Sequence, residues 1–422
     1  MKPTVKTLKN GTKLVLVASD AFSTVTAMIL AGTGSNYESD KEAGLSHFLE
    51  HMCFKGGKKY ENAKVIAETL ESLGALSNAF TTSEYTGYHV KGNPAHINVF
   101  LDVLTDMYLN ASFPDEEVRK EKGVIIEEIN MYDDIFQHKV WEVLMDVMFP
   151  GQPAGRPIIG SKETVKSFTR DDLFAYKDKH YFGHNTVVAV CGPLTKANIK
   201  NIEKIFNAVP EGKDGKKHKT KISQKAFNFR IHNRKIDQAH LAIGFHSVPY
   251  RHKDNPAARL LATVLGRGSS SRLFHLLREE LGVAYSVFAD QEAFLDHGIF
   301  GISAGVDKKR VNEVIALIAK ELEDLKTNLV SDKELSKARE FSIGGLRMGL
   351  ETTDDIAGYY GGQAVLRKEL KGPKEVIKDY SEVTAQDVRR MARKLFSGKN
   401  ASLAIVGNYV EKDIDASSLA RL

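Results

Sequence analysis

Two histidines and a glutamate within residues 43–52 have the types and spacing of a metal site. His47 and His51 are four residues apart, so on a helix they lie one turn above each other on the same face. Glu50 follows His47 by three residues, which brings its carboxylate beside the same ion. Two neutral imidazoles with a nearby carboxylate base are the usual start of a hydrolytic zinc site.

An acidic segment at residues 119–130 could supply the third protein ligand that such a site needs. Glu121 and Glu128 are seven residues apart, two helical turns, so both would point the same way. Three apolar residues at 124–126 lie between them and favour a packed helix. Carboxylates on a largely buried helix need a metal or a charged partner. By chemistry alone Glu127 is a rival ligand, although one residue turns it about 100° around the helix.

The composition is that of an ordinary globular protein. The chain has 422 residues, 42% hydrophobic and 27% charged, a length that predicts two or three domains. A net charge of +5, from 59 basic and 54 acidic residues, is too small to indicate nucleic-acid binding. Two cysteines, Cys53 and Cys191, do not make a disulfide framework, and a buried thiol is the expected state of Cys53.

Membrane and targeting segments are not evident in the sequence. No run approaches 18 apolar residues, so no membrane span is predicted. Lysines are scattered through residues 1–10, and the apolar run at 14–17 is too short for the core of a signal peptide. We therefore expect a cytoplasmic protein.

Hydrophobic periodicity predicts a mixture of strands and helices in both halves of the chain. Strands are predicted at residues 13–18, 24–31, 76–80, 85–90, 186–190, 239–247, 285–293, 298–306 and 402–406. Helices are predicted at residues 43–52, 62–73, 97–110, 115–133, 138–148, from Thr169 onward, and at 198–206, 256–265, 271–281, 309–328 and 332–348. The parallel order of the two halves suggests a duplication in which only the first copy keeps the metal-binding residues.

The one clear change in composition is the polar, Lys-rich segment at residues 211–221. Such a segment is typical of a linker, with a basic patch for an acidic partner as the alternative. We therefore divide the chain into a zinc-bearing domain at 1–210, a linker at 211–225 and a second, metal-free domain at 226–422.

The reversed motif His-x-x-Glu-His is the inverzincin pattern. With its downstream acid it resembles the pitrilysin/insulinase-type (M16) zinc peptidases, most closely the short subfamily that includes mitochondrial processing peptidase and its bacterial relatives. That family has a Glu ligand after 76 intervening residues, and Glu128 falls on this position. The resemblance implies that His47, His51 and Glu128 bind Zn2+, that Glu50 is the general base and that Glu121 is a supporting acid.

Two further segments are similar to the same family. Residues 74–81 match the strand that binds peptide by adding it to a sheet edge, which implies that Asn78 and Ala79 contact the substrate main chain. Arg278 and Tyr285 match an Arg and a Tyr that reach from the second half to the substrate carbonyl, where they would stabilise an oxyanion. A strand-end Asn and a surface Arg paired with a neighbouring Glu are the structural alternatives.

The fold implied by the resemblance is α+β. Two similar α/β sandwich halves, each with helices packed on a mostly antiparallel sheet, would face each other across a chamber. The predicted function is a zinc metalloendopeptidase that cleaves extended or unfolded peptides. A homodimer is expected, with a heterodimer as the alternative assembly.

Two other functions fit part of the pattern. The first is a non-catalytic partner subunit of a heterodimeric processing peptidase, although such subunits lose zinc ligands that this chain keeps. The second is a metal-dependent lyase, because a small sulfur-metabolism enzyme of related fold binds metal through two helical histidines and a distant cysteine. Only Cys191 could be that cysteine here.

Overall fold

Two β-sheets with helices packed on them organise the computed structural model, which describes residues 2–212, 217–367 and 369–422. The described residues form two units, each made from separated segments of the chain. The first unit is Met1–Ile129, Pro157–His218 and Arg347–Gly372, and the second is Asn130–Arg156, Lys219–Leu346 and Pro373–Leu422.

The strands and helices follow each other along both units. The strands are β1 Thr4–Thr7, β2 Lys13–Ala18, β3 Val25–Ala31, β4 Leu76–Thr81, β5 Thr86–Gly92, β6 Thr186–Gly192, β7 Asn228–Asn233, β8 Gln238–Ser247, β9 Ala284–Ala293, β10 Gly298–Asp307 and β11 Ala401–Gly407. The helices are α1 Leu45–Cys53, α2 Ala63–Glu71, α3 Ile97–Asn110, α4 Asp115–Asp134, α5 Phe136–Met148, α6 Lys162–Ser167, α7 Arg170–His180, α8 Lys196–Phe206, α9 Asn255–Gly266, α10 Arg272–Phe274, α11 Val311–Thr327, α12 Asp332–Met348, α13 Thr353–Leu366, α14 Pro373–Glu382, α15 Ala385–Leu395 and α16 Ser417–Ala420.

The sheet of the first unit has the strand order β1-β2-β6-β3-β5-β4. Only the β2–β6 pair is parallel, and the other pairs are antiparallel. The central strands β3 and β6 are buried along their whole length, as expected for apolar strands covered on both faces. Strand β4 is the last of the sheet and begins with three exposed residues.

The sheet of the second unit has the order β7-β11-β8-β10-β9, with only β7 and β11 parallel. Helices α9, α11 and α15 bury their apolar faces in one continuous core with this sheet. That core includes Leu261, Ile318 and Met391, each with no exposed surface. The prediction of an α+β fold with mostly antiparallel sheets is confirmed.

One helix of each unit comes from a distant part of the sequence. Helix α13 packs on the first sheet, where Tyr360 lies in one buried cluster with Leu30. Helix α5 packs on the second sheet, where Leu144 lies in one cluster with Ala242 and Ala404. Each helix covers a sheet face that is apolar and would otherwise be exposed, so burial explains both placements.

The two units therefore differ from the continuous domains expected at 1–210 and 226–422. Residues 130–156 group with the second unit and residues 347–372 with the first. Of the expected linker at 211–225, residues 213–216 lie outside the described residues. Over the part of the chain that the structure describes, no helix is long and apolar enough to cross a bilayer.

The contact between α5 and the second sheet predicts a cost for adding a side chain at Gly301. A Cβ on Gly301 of β10 would overlap the ring of Trp141 on α5. We expect Gly301→Ala to lower the free energy of unfolding by about 1–3 kcal/mol, the usual cost of overpacking. Gly344→Ala is the control, because Gly344 lies within α12 with open space around its Cα. This variant should gain up to about 1 kcal/mol from helix propensity. Urea unfolding of both variants measures the difference, and equal midpoints would contradict the packing described.

Candidate metal centre

Helix α1 is fixed at its beginning by a buried carboxylate. Gly44 precedes the helix with φ of +95°, a conformation that side chains disfavour. Glu38, only 1% exposed, accepts the backbone N–H of Gly44 at 2.8 Å and that of Ser46 at 2.7 Å. The Ser46 hydroxyl is in turn 2.7 Å from the hydroxyl of Tyr176 on α7. An anion at a helix N-terminus is favoured by the exposed N–H groups and the helix dipole.

The apolar face of α1 leaves both histidines on the opposite side. Phe48, Leu49 and Met52 have no exposed surface, and Phe48 packs edge-on against Phe168 at 5.7 Å between ring centroids. The rings of the two histidines, His47 and His51, lie 4.5 Å apart and are partly exposed. The i,i+4 spacing thus places both imidazoles on one face of α1, as the sequence predicts.

Helix α4 brings Glu128 to both imidazoles. Its Oε1 is 3.8 Å from Nε2 of His47, and its Oε2 is 3.6 Å from Nε2 of His51. These separations are too long for hydrogen bonds. They are close to the roughly 3.3 Å between two ligands of one tetrahedral zinc ion with bonds near 2.0 Å. In the described residues, this is the one group of three or more His, Cys, Asp or Glu side chains with metal-site spacing.

The neighbouring residues of α4 clarify the choice of ligand. Glu127 is exposed and outside the cluster, so the geometry favours Glu128. The apolar residues between the acids are only partly packed, because Ile125 is fully buried whereas Val124 is 52% exposed. The expectation of a packed helix is right for one face of α4 only.

Glu121 supports His51 from behind. Its Oε1 lies 2.8 Å from Nδ1 of His51, and its Oε2 lies 2.5 Å from Nζ of Lys55. An ionised carboxylate only accepts, so Nδ1 of His51 carries the hydrogen and Nε2 presents its lone pair on the side of Glu128. Burial opposes ionisation of Glu121, but the hydrogen bonds from His51 and Lys55 hold its pKa below the usual value.

Glu50 is buried beside the cluster, with 9% of its surface exposed. One of its oxygens accepts a short hydrogen bond from the hydroxyl of Thr81, the last residue of β4. Burial raises the pKa of Glu50, and the Thr81 hydroxyl partly offsets this change. A carboxyl group with a raised pKa can both take and return a proton near neutral pH.

Protonation of the three clustered groups responds to burial and to the neighbouring charges. Burial lowers the pKa of His47 to about 3, so its imidazole is neutral at physiological pH. Burial also raises the pKa of Glu128. Burial lowers the pKa of His51, but the hydrogen bond to Glu121 and the nearby carboxylates raise it overall. Two imidazoles and one carboxylate match the donor set of a catalytic zinc site, which keeps a further position for water.

The edge of the first sheet lies next to this cluster through Thr81. Asn78 and Ala79 are on β4, opposite His89 and Tyr88 of β5, and β4 is the last strand of its sheet. Asn78 is exposed, and its Oδ1 accepts the backbone N–H of Ala79 at 2.9 Å. An edge strand of this kind can pair with an added extended chain.

Arg278 and Tyr285 lie on two irregular elements of the second unit. Arg278 belongs to a π-helix at His275–Glu280, and Tyr285 is the extra residue of a β-bulge between β9 and β10. Both irregularities are frequent at functional sites because they redirect side chains. The Arg278 guanidinium is 5.0 Å from the ring of Phe274 and 5.7 Å from that of Tyr285. Tyr285 is 73% exposed, and no acidic residue of the described chain pairs with Arg278.

The two cysteines are buried thiols outside the metal cluster. Cys53 ends α1 with no exposed surface, and burial raises its pKa to about 11. This agrees with the expectation for Cys53. Cys191 lies on β6 in the core of the first sheet, where burial raises its pKa to about 12.

The fold and this cluster define the class of protein. A protease from Helicobacter pylori has the same fold, with a TM-score of 0.88 and 22% identity over 96% of this chain and 99% of that structure. A structure from Pseudomonas fluorescens described as a peptidase M16 inactive domain also has a TM-score of 0.88, at 18% identity and 97% and 99% coverage. The shared fold is thus the two-halved architecture of these proteins.

The chain belongs to the M16 peptidase family. The family model "Insulinase (Peptidase family M16)" matches residues 14–162, and "Peptidase M16 inactive domain" matches residues 167–341. YmxG of Bacillus subtilis, described as an uncharacterized zinc protease, is 34% identical over 95% of this chain and 97% of its own length. An uncharacterized zinc protease of Rickettsia bellii is 31% identical, with 96% and 97% coverage.

Sequence reasoning assigned no role to three residues that position the cluster. They are Glu38, Lys55 and Thr81, which contact the backbone before His47, the Glu121 carboxylate and the Glu50 carboxylate, respectively. Of the three, only Lys55 could have been found from the sequence, because it follows His51 by four residues and so would continue the same helical face. Glu38 precedes the helix in a loop, and nothing in its spacing points to the backbone of Gly44.

The buried contact of Glu38 predicts a measurable loss of stability. Glu38→Gln places an amide NH2 where one backbone N–H needs an acceptor, so we expect the free energy of unfolding to fall by about 1–3 kcal/mol. Glu42→Gln is the control, because Glu42 accepts the N–H of Ser39 at 2.9 Å in a more exposed position. Its expected loss is about 0.5–1 kcal/mol. Urea unfolding at unchanged slope measures both variants, and a larger loss for Glu42→Gln would refute the assignment.

Proposed function

We propose that this protein is a zinc-dependent endopeptidase that cleaves extended or unfolded peptides. The observation that supports it most is the position of Glu128, whose two oxygens lie at ligand-to-ligand distances from His47 and His51. A buried carboxylate, Glu50, interacts electrostatically with His51 and Glu128 and is the proposed general base. The names of the relatives, which describe zinc proteases, agree with this proposal.

Each residue of the cluster has a distinct proposed role. His47, His51 and Glu128 would hold the ion, and Glu121 orients His51. Zinc, when bound, supplies Lewis-acid polarisation of a carbonyl and lowers the pKa of a coordinated water. Glu50 accepts the proton of the attacking water and delivers it to the leaving amine, a transfer for which its raised pKa suits it.

The substrate would bind as an added strand on β4. Backbone pairing along Asn78 and Ala79 gives affinity without demanding a particular sequence, which favours extended over folded substrates. The exposed Arg278 and Tyr285 are donors that would stabilise negative charge on the substrate carbonyl oxygen. In this proposal the first half of the chain provides the metal cluster, and the second half provides Arg278 and Tyr285.

The non-catalytic alternative has one observation in its favour, the description of residues 167–341 as an inactive domain. The metal cluster, however, lies wholly within residues 14–162, the part that matches the insulinase model. Catalysis by the first half is therefore compatible with both matches. By resemblance to the short subfamily, we also propose that the protein acts as a homodimer. A cytoplasmic location remains an expectation from the sequence.

The role of Glu50 predicts a variant that keeps metal and loses activity. Glu50→Gln preserves shape but cannot accept the water proton, so we expect hydrolysis of a quenched peptide to fall by about 10²–10⁴-fold. Its zinc content, measured by mass spectrometry, should equal that of the unmodified chain. Glu127→Gln is the matched control and should keep both zinc and activity, because Glu127 is outside the cluster. Unchanged turnover by Glu50→Gln would refute the mechanism.

The third ligand separates the peptidase from the lyase. Glu128→Ala removes the only carboxylate of the described cluster and should leave the chain without stoichiometric zinc after dialysis. Cys191→Ala should retain zinc, since Cys191 is buried in the core of the first sheet. The opposite pattern of metal loss would support the lyase-type ligand set instead. Circular dichroism of both variants controls for unfolding.

A further inference from the structure

The last turn of α1 and the turn that follows it direct two donors at one carboxylate. His51 and Lys55 are four residues apart, and the backbone N–H of Lys55 bonds to the carbonyl of Met52 at 3.1 Å, which tightens the end of the helix. Nδ1 of His51 and Nζ of Lys55 then reach separate oxygens of Glu121, at 2.8 and 2.5 Å. The side chain of Glu121 is 5% exposed and that of Lys55 is 22% exposed, so water competes little for this contact.

The charges of the site do not balance without Lys55. Three carboxylates, Glu50, Glu121 and Glu128, lie around two imidazoles that are neutral when they bind metal. A divalent ion supplies two positive charges and Lys55 supplies the third, which makes the group neutral overall. A buried carboxylate that loses its only ammonium partner repels its acidic neighbours and carries a large desolvation penalty.

We propose that Lys55 is a positioning residue for the metal centre. Through its ion pair it holds one oxygen of Glu121 so that the other is directed at Nδ1 of His51, and it thereby fixes the ring orientation that would present Nε2 to the metal. Nζ of Lys55 pairs with Glu121, which is not one of the three candidate ligands, so its effect on the metal would pass through Glu121. This inference rests on the proposed zinc site and adds to it a residue that controls its affinity.

Zinc affinity tests this role without reference to activity. The full chain, stripped of metal, is titrated with Zn2+ in competition with a chromophoric chelator. Lys55→Met should weaken zinc binding by about 10- to 100-fold, the usual cost of losing a residue that orients a metal ligand. Lys55→Arg keeps the positive charge and should recover most of that loss. A merely structural lysine would show no such dependence on charge.

Lys59→Met is the matched control, because Lys59 lies four residues further on and pairs with Asp102 instead. Its zinc affinity should equal that of the unmodified chain. If Lys55→Met does not fold, Lys55→Gln replaces it, since it removes the charge but keeps a polar side chain, and it should show the same weakening.

The results separate this inference from the function it rests on. Zinc binding within 2-fold of the unmodified chain for Lys55→Met or its replacement would overturn the role of Lys55 alone. No recovery by Lys55→Arg, or an equal loss in Lys59→Met, would overturn it as well. An unmodified chain that binds no Zn2+ would remove the proposed metal centre and this inference together.

Discussion

The burial of several like charges between α1 and α4 is the constraint on which the first unit depends. Glu50, Glu121 and Glu128 converge on His47 and His51 where solvent reaches them only partly. Such a group is costly in a folded protein unless a cation compensates for it. The rest of the unit must therefore supply enough packing to hold α1 and α4 together despite this cost. Burying like charges in this way lowers the local stability of the fold.

The helices are held by contacts that do not involve the cluster. Phe48 and Met52 anchor α1 in the core, and Glu38 fixes its first turn through the backbone. Ile125 of α4 follows Glu121 by four residues, so it lies on the same face of the helix, and it is fully buried. Because these contacts exist independently of any ion, the imidazoles and Glu128 are already directed at one point. Preorganised ligands bind metal without a cost of ordering, and they hold one geometry through a reaction.

The histidine pair of the cluster was predictable from the sequence because its information is local. Helical periodicity alone places His47 over His51, whereas the choice of Glu128 needed a family spacing. The placement of α13 was not predictable, because its buried face includes the polar residues Thr353 and Gln363, and apolar residues such as Val365 lie outside that face. Its partner strands lie more than 150 residues earlier in the chain, so only tertiary burial determines the pairing. The same reason explains why the units do not coincide with the continuous domains 1–210 and 226–422. The ion pair of Lys55 joins the turn after α1 to helix α4, a pairing that the periodicity of one element does not indicate.

Thr81 connects the proposed binding surface to the proposed base. It ends β4, the edge strand, and its hydroxyl donates to Glu50. A peptide that extends this sheet has its main chain fixed by the same strand that holds the carboxylate, so the register of pairing also sets the distance between a peptide bond and Glu50. Main-chain pairing is nearly independent of sequence, since every residue but proline offers one N–H and one C=O. Positioning by the backbone therefore gives such a site broad substrate range with fixed reaction geometry. Under the proposed function, selectivity would then come from side chains outside β4.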